Sequence, residues 1–136
     1  MFNPSKLWGS LQNRPSVTIM NKEISKKLME MSSFPLISIG VSGKAYLRRD
    51  AIAIITLARH NIVPVLGGDV YCKSEFDNDI HITYDNWYCN REEFESLKDY
   101  VERSCDVAEQ YILNYTAQKG FEPIFDIRLA EEWQTT

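Results

Sequence analysis

The residues between Glu75 and Asn86 follow a two-residue alternation, which constrains the fold more than any other feature of the chain. Such a period is typical of a β-strand whose two faces differ. We expect Ile80, Ile82 and Tyr84 to lie on one face. The opposite face is then a row of acids with one histidine, made of Glu75, Asp77, Asp79, His81 and Asp85.

Three other segments also have the composition of strands. Residues 36–41 and 62–72 are short, apolar and β-branched, and residues 121–129 alternate, so strands are predicted near these positions and near 79–86. Pro64 cannot donate a ladder hydrogen bond, which favours a sheet edge or a strand start at this point.

A glycine pair interrupts the second of these strands. Gly67 and Gly68, followed by Asp69, break the apolar pattern before it resumes at Tyr71. Because glycine tolerates backbone conformations that other residues avoid, the break predicts a bulge or a sharp turn.

Helices are predicted near residues 16–32, 48–60 and 91–118, where apolar residues recur at three- and four-residue spacing. The second is apolar nearly all round, which predicts a buried helix. Asn90 and Glu93 have the spacing of a capping box at the start of the third.

These elements predict an α+β fold, with one mostly antiparallel sheet of about four strands covered by about three helices. No repeat or linker divides the chain, so we expect a single domain over residues 1–136. Residues 1–15 are rich in turn formers and are expected to be an irregular lead-in.

The composition excludes several classes of protein. The chain has 136 residues, 44% of them apolar, as expected for one globular domain. No apolar run approaches the ~18 residues of a membrane helix, and the first residues lack the apolar core of a secretory signal. Three dispersed cysteines are too few for a disulfide scaffold and indicate a reducing compartment. We therefore expect a cytoplasmic protein without a membrane partner.

The net charge of −4 conceals a strong asymmetry along the chain. Residues 1–60 contain nine Lys or Arg and three acids, whereas residues 61–136 contain six Lys or Arg and sixteen acids. Clustered acids repel phosphates, so nucleic acid is not an expected partner. The acidic half suits a basic protein partner, and solubility alone is the simpler alternative.

The motifs of common catalytic sites are absent from the sequence. Gly40 and Gly43 are too close together for a phosphate-binding loop, and Ala45 follows Lys44 where a hydroxyl would bind magnesium. The three cysteines do not have the spacing of a zinc site, and no Gly-x-Gly-x-x-Gly is present. We expect no cofactor, no resident metal and no enzymatic activity.

One catalytic alternative remains open on the acidic strand face. An extended strand that presents carboxylates and an imidazole together could hold a catalytic metal with ligands from other strands, as in a small metal-dependent hydrolase. The residues concerned are Asp77, Asp79, His81 and Asp85. A solvated strand face or a protein-binding face accounts for the same pattern without a metal. Tyr84, Trp87 and Tyr88 lie beside Asp85 and suit an interface, where aromatic anchors are common. Tyr84 and Trp87 are equally consistent with a core.

Several blocks of the sequence resemble Immunity protein 40, a bacterial family of polymorphic-toxin and contact-dependent inhibition systems. The resemblance extends over roughly residues 45–115. It is carried by Arg48–Ile52, by Ile62–Tyr71 with its Gly-Gly-Asp-Val-Tyr block, by Asp85–Tyr88, and by Ala108, Tyr111 and Ile112 in the later helix.

The resemblance implies a small, non-catalytic α+β protein that protects the toxin-producing cell. Such a protein binds the C-terminal domain of the toxin and blocks its active site or its access to substrate. An acidic inhibitor suits a basic nuclease toxin, because it imitates the phosphates and is attracted over long range. An unrelated protein-interaction module remains the other alternative.

The acidic row and its aromatic neighbours are therefore the candidate toxin-binding face, and the glycine motif is the candidate scaffold. The toxin-binding residues are expected to be Glu75, Asp77, Asp79, His81, Asp85, Trp87 and Tyr88. The family-motif turn is expected to consist of Gly67, Gly68, Asp69 and Tyr71.

Overall fold

A computed structural model of the chain describes residues 22–130. The predicted lead-in, the start of the first predicted helix and the C-terminal tail lie outside the described residues. Within them the chain forms three α-helices, one 3-10 helix and five strands. In chain order the elements are α1 (Lys22–Glu30), β1 (Phe34–Pro35), a 3-10 helix (Ile37–Ile39), β2 (Lys44–Leu47), α2 (Arg48–His60), β3 (Val65–Ser74), β4 (Ile80–Tyr88), α3 (Leu97–Asn114) and β5 (Phe121–Leu129).

The described strands form one five-stranded antiparallel sheet in the order β1-β2-β5-β3-β4. The α+β class, the mostly antiparallel sheet and the three covering helices are thus confirmed. β3 is a central strand, paired with β5 on one side and β4 on the other. The strand begins at Val65, directly after Pro64, so of the two predictions for that proline the strand start is correct.

The helices cover one face of the sheet, where the main core lies. Its apolar side chains come from β3, β4, β5 and the facing sides of all three helices. The members that are inaccessible to solvent include Ala51, Ala58, Val65, Cys105, Ala108, Ile112 and Phe125. α2 is buried mainly along one side, since Thr56 and His60 are exposed, and the prediction of a helix buried all round is wrong. No helix in residues 22–130 is both long and apolar enough to cross a membrane.

The opposite face of the sheet has a smaller core built around Leu36, Ala45, Tyr71 and Ile124. Its position explains why the predicted strand at 36–41 is wrong. The side chain of Leu36 is fully buried, and its carbonyl accepts hydrogen bonds from the amides of Ile39 and Val41, which closes a 3-10 turn. Gly40 then reverses the chain with a φ of 79°. The β-branched residues here follow a turn rather than a strand.

The prediction of a capping box at Asn90 and Glu93 is wrong, because the residue that caps α3 lies six positions after Asn90. The helix is capped by Ser96, whose hydroxyl accepts a hydrogen bond from the amide of Asp99 at 3.0 Å. Phe94, which lies in the helix predicted near residues 91–118, precedes the observed helix and is 96% exposed with a φ of 66°.

The segment before α3 is held by Arg103. The guanidinium of this residue binds both carboxylate oxygens of Glu95 at 2.8 Å and the carbonyl of Asn90 at 2.6 Å. These contacts hold residues 90–95 against the side of α3, which places the helix start at Leu97.

Candidate partner-binding site

The first half of the acidic row forms a tight turn between β3 and β4. The hydroxyl of Ser74 accepts hydrogen bonds from the amides of Phe76 and Asp77, and Asp77 Oδ1 accepts one from the amide of Asp79 at 2.9 Å. Asn78 completes the reversal with a φ of 64°. Side chains that bond their own backbone in this way stabilise turns. The expectation of a continuous strand face from Glu75 onward is therefore wrong.

The second half of the row is interrupted by a bulge in β4. Asn86 pairs with Asp69 and Ile82 pairs with Tyr71, so three residues of β4 lie opposite one residue of β3. The Thr83 hydroxyl donates to the carbonyl of Val70 at 2.6 Å and accepts from the amide of Asp85 at 3.0 Å.

Tyr84 lies at the centre of this bulge in a left-handed backbone conformation, with a φ of 67°. For a bulky residue this conformation costs roughly 1–3 kcal/mol. The side chain of Tyr84 is 84% exposed and that of Ile82 is 45% exposed. The bulge breaks the alternation that the sequence suggests, and of Ile80, Ile82 and Tyr84 only Ile80 packs on the smaller core.

Asp85, the last residue of the bulge, is bound to the C-terminal end of α3. The hydroxyl of Tyr115 donates a 2.6 Å hydrogen bond to Asp85 Oδ2. Burial, followed by this bond to a carboxylate, raises the pKa of Tyr115 to about 12, so the phenol remains a donor at neutral pH. Sequence reasoning missed Tyr115, because 30 residues separate it from its partner and no local pattern links them.

A surface pocket of about 380 Å³ opens between the bulge and the segment that follows α3. Its walls include His81, Thr83, Asp85, Tyr115, Gln118 and Phe121. The rings of His81 and Phe121 pack edge to face, with their centres 5.6 Å apart. His81 Nε2 lies 3.6 Å from Asp77 Oδ1. The Asp79 amide, and then Ser74 and His81, hold the pKa of Asp77 below its usual range, so this carboxylate is charged at neutral pH.

The thiol in the pocket is poorly suited to nucleophilic catalysis. Burial, and then the nearby Asp85 carboxylate, raise the pKa of Cys72, which keeps the thiol protonated. Between Lys22 and Ala130 no three His, Cys, Asp or Glu side chains converge as metal ligands. The geometry therefore gives the metal-dependent alternative no support.

Several acids of the second half of the chain are paired with arginines within the fold. Arg59 of α2 lies 2.6 Å from Glu102, 3.1 Å from Asp106 and 3.4 Å from Glu109 on α3. Two other arginines also have acidic partners: Arg103 pairs with Glu95, and Arg128 pairs with Asp69. The sixteen acids thus overstate the charge that is available to a partner.

The acids of the β3–β4 turn and of β4 do not take part in such pairs with arginines of residues 22–130. Glu75, Asp79 and Asp85 are exposed, and none of them forms an ion pair with a lysine or arginine in the part of the chain that the structure describes. Among the basic side chains of residues 22–130, Asp77 pairs with His81 alone. The hairpin therefore presents carboxylates whose charge is not compensated by an arginine or lysine pair.

Trp87 lies in the core rather than on the exposed face. The residue is 7% exposed and its indole stacks on Tyr111 with ring centres 4.9 Å apart. Its ring covers Gly68: a Cβ added at Gly68 would lie 2.4 Å from the indole, and one at Gly67 would lie 2.3 Å from the Trp87 carbonyl. Both glycines are needed because the backbone and the indole approach so closely.

The glycine motif is part of β3 rather than a turn. Against β5, the register shifts between Val65 and Gly67 and leaves Leu66 as an extra residue of β3, which agrees with the predicted bulge. The shift between Asp69 and Tyr71 against β4 is the bulge of β4 described above. Tyr71 is 7% exposed in the smaller core. Tyr88 pairs with Gly67 and is 73% exposed. Tyr88 is thus at the far end of β4 from the acidic turn.

One comparison with known proteins finds a match over most of the chain. The model of the family Immunity protein 40 matches residues 35–129, which include all five strands except the first residue of β1. No curated protein and no solved structure matches the chain significantly. The family match covers most of the chain and contains the glycine motif, the β3–β4 hairpin, and α3 with the Tyr115 that binds Asp85. The chain belongs to the Immunity protein 40 family.

Proposed function

We propose that this protein binds and neutralises the C-terminal toxin domain of a cognate polymorphic or contact-dependent inhibition toxin. It acts without catalysis, in the cytoplasm of the cell that it protects. Membership of an immunity-protein family supports the toxin as partner. The observation that carries the binding site is the set of exposed hairpin acids without a basic partner in residues 22–130.

The partner is a basic toxin domain of nuclease type. A nuclease that binds phosphates has a cationic surface, and uncompensated carboxylates are attracted to such a surface over long range. Attraction of this kind raises the association rate and positions the inhibitor over the substrate-binding surface.

The toxin-binding face consists of the β3–β4 turn and the adjoining part of β4. Glu75, Asp77 and Asp79 supply charge from the turn, and His81 and Asp85 supply polar groups from the strand. Tyr88 adds an exposed aromatic ring at the far end of the strand. Trp87 supports this face without being exposed on it, since its buried indole fixes the position of β4 against β3.

Co-expression tests the function. The C-terminal domain of a candidate cognate toxin is expressed with the full chain, and separately with an immunity protein from another system. We expect growth to be restored only by this chain, and the two proteins to elute together on size-exclusion chromatography. Continued toxicity without a complex would contradict the proposal.

A further inference from the structure

The pocket beside the β4 bulge has the geometry of a socket for one side chain. We propose that it receives an arginine side chain of the partner, with the guanidinium bound to Asp85. The identity of that partner as a toxin rests on the function proposed above, whereas the chemistry of the socket rests only on its own residues.

The bulge builds the polar wall of the socket. Because Thr83 Oγ1 accepts the Asp85 amide and donates to the Val70 carbonyl, the backbone at Asp85 is fixed against β3. The hydroxyl of Tyr115 binds Asp85 Oδ2 at 2.6 Å. Asp85 Oδ1 has no hydrogen-bond partner within residues 22–130. The carboxylate is thus oriented in advance, with one oxygen available to a donor.

The charge around the socket favours a cation. Within the described part of the chain, no lysine or arginine lines it. Asp85 lies in its wall, and Asp77 lies 3.6 Å from His81 at its margin. An anionic ligand would meet repulsion from both carboxylates, while a cation would be attracted by both.

The shape and the rings of the socket favour arginine over lysine. Its volume of about 380 Å³ accommodates a long side chain together with several waters. Tyr115, Phe121 and His81 present rings to the same space. A guanidinium stacks on such rings and binds a carboxylate through parallel N–H groups, whereas an ammonium is a compact, strongly hydrated charge.

A titration with a small probe tests the socket without the toxin. N-acetyl-arginine-N-methylamide is added to the labelled full chain up to about 100 mM, and amide chemical shifts are recorded; single-group binding in the millimolar range is expected. We expect saturable shifts at Thr83, Asp85 and Thr116. The citrulline analogue, which has the same shape without the charge, should produce none. Equal shifts with both probes, or none with the arginine probe, would overturn the proposal.

Three variants separate the effect of the socket from the general acidity of the hairpin. Asp85→Asn should abolish the saturable shifts, and Asp79→Asn, which removes the same charge outside the socket, should retain them. Tyr115→Phe should weaken binding of the probe severalfold, because it releases the carboxylate without changing its charge. If the probe bound Asp85→Asn as it binds the wild type, the proposal that Asp85 binds a guanidinium in the socket would be wrong.

The toxin domain gives an independent result. If the socket is used, Asp85→Asn weakens binding of the toxin domain about tenfold and Asp79→Asn weakens it about threefold or less. If the probe binds and the toxin does not, the proposed function fails while the socket stands. If the toxin binds Asp85→Asn with unchanged affinity, the function stands and the socket is not the toxin's contact.

Discussion

The hydroxyl of Tyr115 donates a 2.6 Å hydrogen bond to Asp85 Oδ2, and this bond joins the end of α3 to the bulge of β4. Tyr115 is held in turn by Arg48, whose guanidinium donates to the carbonyls of Tyr115 at 2.8 Å and Leu113 at 3.2 Å. Arg48 therefore supplies donors to carbonyls that the end of an α-helix leaves unpaired. One arginine at the start of α2 thus positions the residue that orients the candidate binding carboxylate.

Removing that hydroxyl should cost little stability. Tyr115→Phe keeps the ring and deletes the donor, so we expect the free energy of unfolding to fall by about 0.5–1.5 kcal/mol. Urea denaturation followed by circular dichroism measures the change. Tyr84→Phe removes a hydroxyl from a side chain that is 84% exposed and should change stability by less. Equal losses in the two variants would contradict the structural role of the bond.

Gly68 is required by the ring of Trp87. A Cβ at Gly68 would lie 2.4 Å from the indole and 2.5 Å from the carbonyl of Asp126, so Gly68→Ala should destabilise the fold by about 2–4 kcal/mol. The control is Gly40→Ala, where a Cβ meets nothing within 4 Å and only the φ of 79° is strained, at about 1–2 kcal/mol.

A second substitution tests the cause. In the Gly68→Ala background, Trp87→Leu removes the ring that the new methyl would meet, and its further cost should be smaller than its cost in the wild type. Chemical denaturation of the four proteins gives the coupling energy. Strict additivity would show that the indole is not the source of the clash.

Ser104 is a buried serine whose hydroxyl serves β3. It accepts a hydrogen bond from the amide of Val65 at 3.0 Å and donates to the carbonyl of Val101 at 3.2 Å. Ser104→Ala leaves the Val65 amide unpaired inside the core, and we expect a loss of about 1–3 kcal/mol. Thr56→Ala, which removes an exposed hydroxyl bonded within α2, should have a smaller effect. Faster hydrogen exchange at Val65 in the first variant alone would confirm the cause.

Asp126 makes stability depend on pH in the opposite sense to most carboxylates. Burial raises its pKa to about 6, with a further increase from Asp69 and a partial decrease from Arg128. An unfolded aspartate titrates near about 3.9, so the folded protein binds more protons between these values and loses stability as pH rises from about 4 to 6. Asp126→Asn should therefore stabilise the protein by about 2 kcal/mol at pH 7 and have little effect at pH 4.

Melting curves of both proteins from about pH 4 to pH 7 measure this difference. The comparison isolates Asp126, because acids whose pKa is lowered, such as Glu95, contribute equally to both. A constant difference across the range, or a destabilised variant at pH 7, would contradict the assignment.

Periodicity predicted most of the helices and strands. Where the structure departs from that prediction, the cause is a side-chain contact. The β4 strand and the α3 helix lie close to where the sequence placed them. The bulge at Tyr84 was missed because it depends on the Thr83 hydroxyl reaching the Val70 carbonyl, a contact that no periodicity contains.

The candidate site was predictable in composition rather than in geometry. The exposed acids follow from charge along the sequence, whereas the burial of Trp87 depends on a glycine opposite it in the next strand. Likewise Leu36 leaves the predicted strand because its side chain fills the smaller core. Such contacts between distant residues are what local pattern reasoning lacks.

The salt dependence of binding tests the central claim most directly. The affinity of the catalytically inactive toxin domain is measured by calorimetry from about 50 to 500 mM salt, for the wild type and for the triple variant Asp77→Asn, Asp79→Asn, Asp85→Asn. A double variant of exposed acids elsewhere, Glu93→Gln with Asp99→Asn, is the control. We predict that the triple variant alone binds at least about tenfold more weakly at low salt and with a flatter salt dependence. Wild-type affinity and salt dependence in the triple variant would contradict the account.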